Sequence, residues 1–282
     1  MQQVRALAGR IAPHLALLAA AAGFVFLFSF SSSPLYLGYG GDSSVYKNMG
    51  WLILQGGTPY VDLYDNKGIL LYLFNALGLL ISPQWGICAL QTLMLWGTLT
   101  VWDMMLREFG MGWARYAAIA VALLVLLLYY EGGGLTEDLS LLFISVPLYI
   151  WVKAERRDAE IPMRGWLAMG LCAGTLAFIR INNVLPFAGF YLWSLGEMAV
   201  GRKWKLLARS LGMAAAGFAV VAALCVGYVA AAFGWPGVAA MFDWMFAKNF
   251  SRILFHSDRG ATLNGYVAVL PPPVRFVADN HV

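Results

Sequence analysis

Charge is what this chain has least of. Only 12% of its 282 residues are Asp, Glu, Lys or Arg, about half of the ~25% usual in a soluble domain. Cysteine and histidine are scarce as well, with three of each. Cys88, Cys172 and Cys225 all fall within apolar runs and form no Cys-x-x-Cys pair. That excludes a disulfide framework and a cysteine zinc site, and reads as small buried hydrophobes. His14, His256 and His281 are too scattered to form a histidine cluster. No internal repeat is present. The net charge of +4 is no nucleic-acid signature, because the basic residues sit beside apolar runs, as the positive-inside bias requires.

What is there is apolar sequence: 61% of residues are hydrophobic and the mean hydropathy is +0.69. Charge-poor runs cover residues 11–30, 69–81, 86–106, 113–130, 139–152, 165–179, 184–200 and 211–233. A spanning helix needs roughly 20 apolar residues, so the shorter runs must tilt or borrow flanking residues. The expectation is an all-α, multi-pass membrane protein. Arg5 and Arg10 before the first run resemble a signal peptide, but the run is long for one. Ser31-Ser32-Ser33-Pro34 is also a poor cleavage site, so an uncleaved first helix is expected.

Lys and Arg set the orientation. Arg5/Arg10, Arg107/Arg115, Lys153/Arg156/Arg157/Arg164 and Arg202/Lys203/Lys205/Arg209 read as cytoplasmic. Residues 31–68, 131–138, 180–183 and everything after 233 then face outward. Between Gly68 and Arg107 the chain must cross an odd number of times. One helix over that stretch would be roughly 55 Å long, too long for the bilayer. One crossing plus a re-entrant or interfacial piece, broken near Ser82-Pro83, gives about seven crossings, with the N-terminus inside. Residues 1–233 read as a transmembrane module and 234–282 as an extracytoplasmic tail, with a second amphipathic pattern near 241–250 and a stop at Pro271-Pro272-Pro273.

The scarce charge concentrates in the loop 38–68, which holds Asp42, Asp62, Asp65 and Lys67. Charge beside a bilayer is costly, which marks the loop as a functional site. Residues 43–55 read as a short surface helix with Val45, Met49, Leu52 and Ile53 on its apolar face, ended by Gly56-Gly57 and Pro59.

Each polar residue has a structural and a chemical reading. Asp42 is a helix N-cap or a base that deprotonates a hydroxyl; the two are compatible. Lys67 is a snorkelling interfacial lysine or a point charge for a lipid-linked phosphate, with Gly68 permitting close backbone approach. Asp62 and Asp65 are turn residues or orient Lys67, a turn fitting Asp62 better. A second island, 131–138, carries three glycines before Thr136-Glu137-Asp138. Its acids suit a helix N-terminus, or Glu137 supports an acceptor or a metal. Arg180 snorkels or neutralises a phosphate, and Asn182 and Asn183 can bind sugar hydroxyls. Tyr36, Tyr39, Tyr60 and Tyr64 suit an interfacial aromatic belt, with sugar stacking as the alternative.

The order of these pieces resembles the GT-C superfamily of membrane glycosyltransferases, in the branch of protein O-mannosyltransferases and aminoarabinose transferases. The likeness rests on Asp42, then Gly57-Thr58-Pro59-Tyr60-Val61-Asp62, then Asp65-Asn66-Lys67-Gly68-Ile69-Leu70. The family pattern is an acid, G-x-P-Y-x-D and a lysine at a helix start; Ile69 stands where proline is usual. Thr136-Glu137 is similar to the family's second acidic position. The resemblance covers roughly residues 11–233. It implies transfer of a sugar, with inversion, from a polyprenyl-phosphate donor to a glycan, lipid or protein acceptor on the extracytoplasmic face of the cell membrane. Asp42 and Glu137 would be the catalytic acids, Lys67 and Arg180 the phosphate-binding cations, and Tyr60, Asp65, Asn182 and Asn183 substrate contacts. No cofactor is certain, and a divalent metal is an option. Family members usually continue into further helices or a soluble domain, which suggests a short form, a piece, or need of a partner. The competing readings are a non-catalytic membrane subunit and a lipid or solute transporter. The latter would place charge or broken helices near the midplane, whereas here the charges sit at the ends.

Overall fold

The computed structural model describes residues 2–36 and 40–248, with side chains from Ile11 onward. The described chain is all-α, and no strand is present among the described residues. Its helices are α1 (Gln2–Phe28), α2 (Gly41–Leu54), α3 (Ile69–Ile81), α4 (Gly86–Glu108), α5 (Ala114–Tyr129), α6 (Thr136–Arg156), α7 (Met163–Ile179), α8 (Leu185–Val200) and α9 (Trp204–Phe242). By length and composition two stretches can cross a membrane, Ile11–Phe28 and Trp204–Ala247; Ile69–Ile81, Ala114–Tyr129 and Met163–Ile179 are apolar but shorter.

Side-chain contacts define two ends of the bundle. At one end, the basic end, Arg115 and Arg107 pair with the buried Asp103, Arg157 with Glu108, and Lys203 with Glu160. At the other, the loop end, Ser29 and Ser32 donate to Gln91, Ser31 to the carbonyl of Gly133, and Arg180 to Glu137. Helices α1 and α4 to α9 run between these ends. Helices α2 and α3 stay at the loop end, where Gly50 packs so closely that a Cβ would lie 2.6 Å from the Ala76 nitrogen.

The break expected near Ser82-Pro83 is present. α3 stops at Ile81 and α4 starts at Gly86, and the 23-residue α4, about 34 Å long, runs from the loop end to the basic end of the bundle. α2 begins two residues earlier than expected, and its N-cap is Gly40, without a side-chain cap bond. Asp42 is therefore not the cap; it sits in the first turn. The buried face of α2 is Ser43, Tyr46, Met49 and Gly50, with Val45, Leu52 and Ile53 only partly buried beside it. The close approach to α3 at Gly50 turns the helix away from the face its larger apolar residues suggest.

α9 is interrupted at Gly234 (φ 71°, ψ 179°), a non-helical residue that divides Trp204–Phe242 into two helical pieces, with Pro236 near the start of the second. Gly234 alone takes that left-handed angle without a Cβ penalty, and Pro236 has no N–H to extend the hydrogen-bond ladder. A π-turn, Asp243–Ala247, follows. Tyr39, His256, His281, the three prolines and the end of the second amphipathic pattern lie outside the described residues.

Candidate functional site

The lysine loop is built around two buried phenols. Asp65 is buried; its Oδ1 accepts the Asn66 N–H at 2.7 Å and lies 3.6 Å from the Lys67 ammonium. The Tyr72 hydroxyl lies 2.9 Å from Asp65 Oδ2 and 3.2 Å from the Lys67 carbonyl oxygen. Tyr60 donates to the same carbonyl at 2.9 Å. Burial, and then the Asp65 charge, push the Tyr60 phenol well above its ordinary pKa, so it stays a donor. Tyr60 has φ 68° and is 1% exposed. It props the loop from within and does not belong to a surface belt. Asp65 likewise is committed to its neighbours.

Gly68 joins this loop to α7. Its N–H donates to the Ile179 carbonyl at 2.9 Å, and a Cβ here would overlap the Phe178 backbone. Lys67 is thereby held beside the end of α7, where Arg180 follows. Arg180 reaches across to α6, donating to Glu137 Oε1 and, at 3.3 Å, to Thr136 Oγ1. Asn183, in the short 3-10 turn Ile181–Val184, donates to Ser140 Oγ at 2.6 Å. Asn183 thus fastens the turn to α6, while Asn182 is exposed.

The start of α6 is shaped by the glycine island. Glu131, Gly132, Gly133 and Gly134 all have positive φ, which glycine adopts without penalty. Carbonyls of Gly132 and Gly133 accept the N–H and hydroxyl of Ser31. Asp138 caps the helix through the Leu135 N–H at 3.1 Å. A cavity of ≈ 20 Å³ beneath, lined in part by Asn75, Gln91, Tyr130 and Asp138, has room for one water.

Asp42 is exposed, and its Oδ2 accepts the hydroxyl of Tyr46 at 3.1 Å. Tyr46, 2% exposed, also carries the Lys67 ammonium 5.8 Å from its ring centroid. Burial first, then the charges of Asp65 and Asp42, raise its phenol far above the ordinary value, with Arg180 opposing them. Asp42 and Lys67 thus both meet Tyr46, and the Gly68–Ile179 contact brings Arg180 to the same end of the site. Sequence alone does not single out Tyr46, Tyr72 or Ser140. The spacing of Tyr46 four residues after Asp42, one helical turn, was the available signal.

Among the described residues no three His, Cys, Asp or Glu side chains converge as metal ligands. Asp62 Oδ2 accepts the Thr58 N–H at 2.7 Å, closing a turn. The chain matches no protein-family model, no curated protein and no solved structure.

Proposed function

We propose that this protein is a membrane glycosyltransferase that moves a sugar from a polyprenyl-phosphate donor to a hydroxyl acceptor, with inversion, at the loop end of the bundle. The observation that carries the reading is one juxtaposition: an exposed carboxylate, Asp42, and a cation, Lys67, both on Tyr46, with a second cation, Arg180, brought in by the Gly68–Ile179 backbone contact.

The chemistry follows from the charges. Asp42 takes the proton of the acceptor hydroxyl, whose oxygen attacks the anomeric carbon from the face opposite the phosphate. The C–O bond to phosphate breaks and the pair of electrons leaves with the phosphate, whose charge Lys67 and Arg180 stabilise. Each cation already has a carboxylate neighbour, Asp65 for Lys67 and Glu137 for Arg180, which fixes its position and is joined by the incoming phosphate. Glu137, at the place of a second acid, serves as the residue that orients Arg180. Asn182, exposed in the turn after Arg180, contacts the sugar hydroxyls in this reading. A divalent ion, where the reaction uses one, would need substrate oxygens among its ligands.

The membrane setting is part of the proposal. Leu80, Leu124, Leu128, Leu192 and Leu224 are each at least 66% exposed, an apolar exterior that suits lipid rather than water. The helices α1 and α4 to α9 then make seven crossings, α2 and α3 lie at the interface, and the basic end faces the cytoplasm by the positive-inside bias. The site faces the extracytoplasmic side of the cell membrane.

The test is turnover by purified protein in lipid, with polyprenyl-phosphate mannose and related pentosyl and hexosyl donors. Wild type releases polyprenyl phosphate, and Asp42→Asn loses turnover by at least about 100-fold, the scale of a general base, while still binding donor. Absence of release with every donor by folded protein overturns the reading in favour of a non-catalytic subunit.

A further inference from the structure

Tyr46 takes no part in the bond changes of glycosyl transfer, yet the groups that do are arranged about it. Its ring is packed in the core with Met49, Tyr60, Ile69 and Tyr72. Its hydroxyl is spent on Asp42 at 3.1 Å, and its ring lies under the Lys67 ammonium. An exposed carboxylate in a first helical turn is free to change rotamer, and a hydrogen bond from a fixed, buried donor removes that freedom. If Tyr46 only filled space, phenylalanine would serve as well and no hydroxyl would be directed at Asp42.

We propose that Tyr46 is the positioning residue of the site, its hydroxyl fixing the Asp42 carboxylate and its ring seating Lys67, so that base and phosphate-binding cation keep a set relation. The inference rests on the glycosyl-transfer reading above. It divides one side chain into two roles with separable readouts. The hydroxyl acts on the chemical step through Asp42; the ring acts on donor binding through Lys67.

The experiment measures kcat, KM for the donor, Kd for polyprenyl phosphate and thermal stability in wild type, Tyr46→Phe, Tyr46→Leu, Asp42→Asn and the Tyr46→Phe/Asp42→Asn double variant. Tyr46→Phe lowers kcat by about 10-fold or more, the scale of a hydrogen bond to a charged group, with KM and Kd unchanged. Tyr46→Leu in addition weakens donor binding by about 2–5-fold, the scale of a cation–π contact. In the Asp42→Asn background the hydroxyl deletion has no further effect, because both act on one step. A Tyr46→Phe variant with wild-type kcat, or with its loss in KM and Kd, overturns the inference even if Tyr46→Leu fails to fold. A wild type without turnover overturns instead the reading beneath it.

Discussion

Lys67 and Arg180 carry the same charge but not the same structural duty. Lys67 is 8% exposed and neutralises the buried Asp65, whereas the Arg180 side chain is 35% exposed and faces an exposed Glu137. Removing one member of a buried pair leaves the other uncompensated, while exposed pairs contribute little to stability. Lys67→Gln and Arg180→Gln are both expected to raise the donor KM by about 10-fold or more, but only Lys67→Gln lowers the melting temperature appreciably. Steady-state kinetics with thermal unfolding in detergent checks both halves; equal destabilisation would remove the distinction. At this scale the sequence showed the charged residues themselves and little of their partners. Asp42, Lys67, Glu137 and Arg180 stood out because charge is rare. Tyr60, by contrast, looked like an interfacial aromatic, because nothing in Pro59-Tyr60-Val61 reveals that its hydroxyl is turned inward onto the Lys67 carbonyl. Asn183 was equally illegible, since its partner Ser140 lies 43 positions away.

Among the elements, the decisive piece is the junction of α3 with α7 at Gly68. The glycine allows backbone contact with Phe178 and Ile179, and so brings the lysine loop to Arg180. Gly68→Ala forces the two apart and is expected to cost about 1–3 kcal/mol, the usual range for overpacking. Equilibrium unfolding measures that cost, and donor KM should rise with it. Wild-type stability in Gly68→Ala would mean the contact is slack. Helix existence was legible here from apolar period and from Gly56-Gly57 and Pro59 as stops. Which face of α2 turns inward was not, because that depends on Gly50 meeting Asn75 and Ala76, a contact between helices that no local period encodes. The break in α9 was legible, because the apolar run ends at 233 and Gly234, with its non-helical backbone, divides the helix there.

For the whole molecule, the proposed topology has the loop end and the basic end on opposite sides of a membrane. The exposed positions Val61, at the loop end, and Ala159, at the basic end, make the claim testable once the buried Cys88, Cys172 and Cys225 are replaced. An impermeant maleimide should label Val61→Cys in intact cells and Ala159→Cys only after permeabilisation; labelling of both from one side would contradict the topology. That the basic residues share one end of the bundle and that the chain breaks between Gly68 and Arg107 could be read from Lys and Arg positions and from helix length. The site could be read only as a set of residues on one side, because its assembly depends on Ser31, Gly133, Thr136 and Ile179 holding separate loops together.

The central claim is that Asp42 is the base of a sugar transfer from a phosphate-linked lipid. The most direct measurement is release of polyprenyl phosphate by purified wild type and Asp42→Asn in the same lipid, alongside donor binding by both. The account predicts release by wild type, loss of at least about 100-fold in the variant, and equal donor affinity. Release that survives in Asp42→Asn would contradict it.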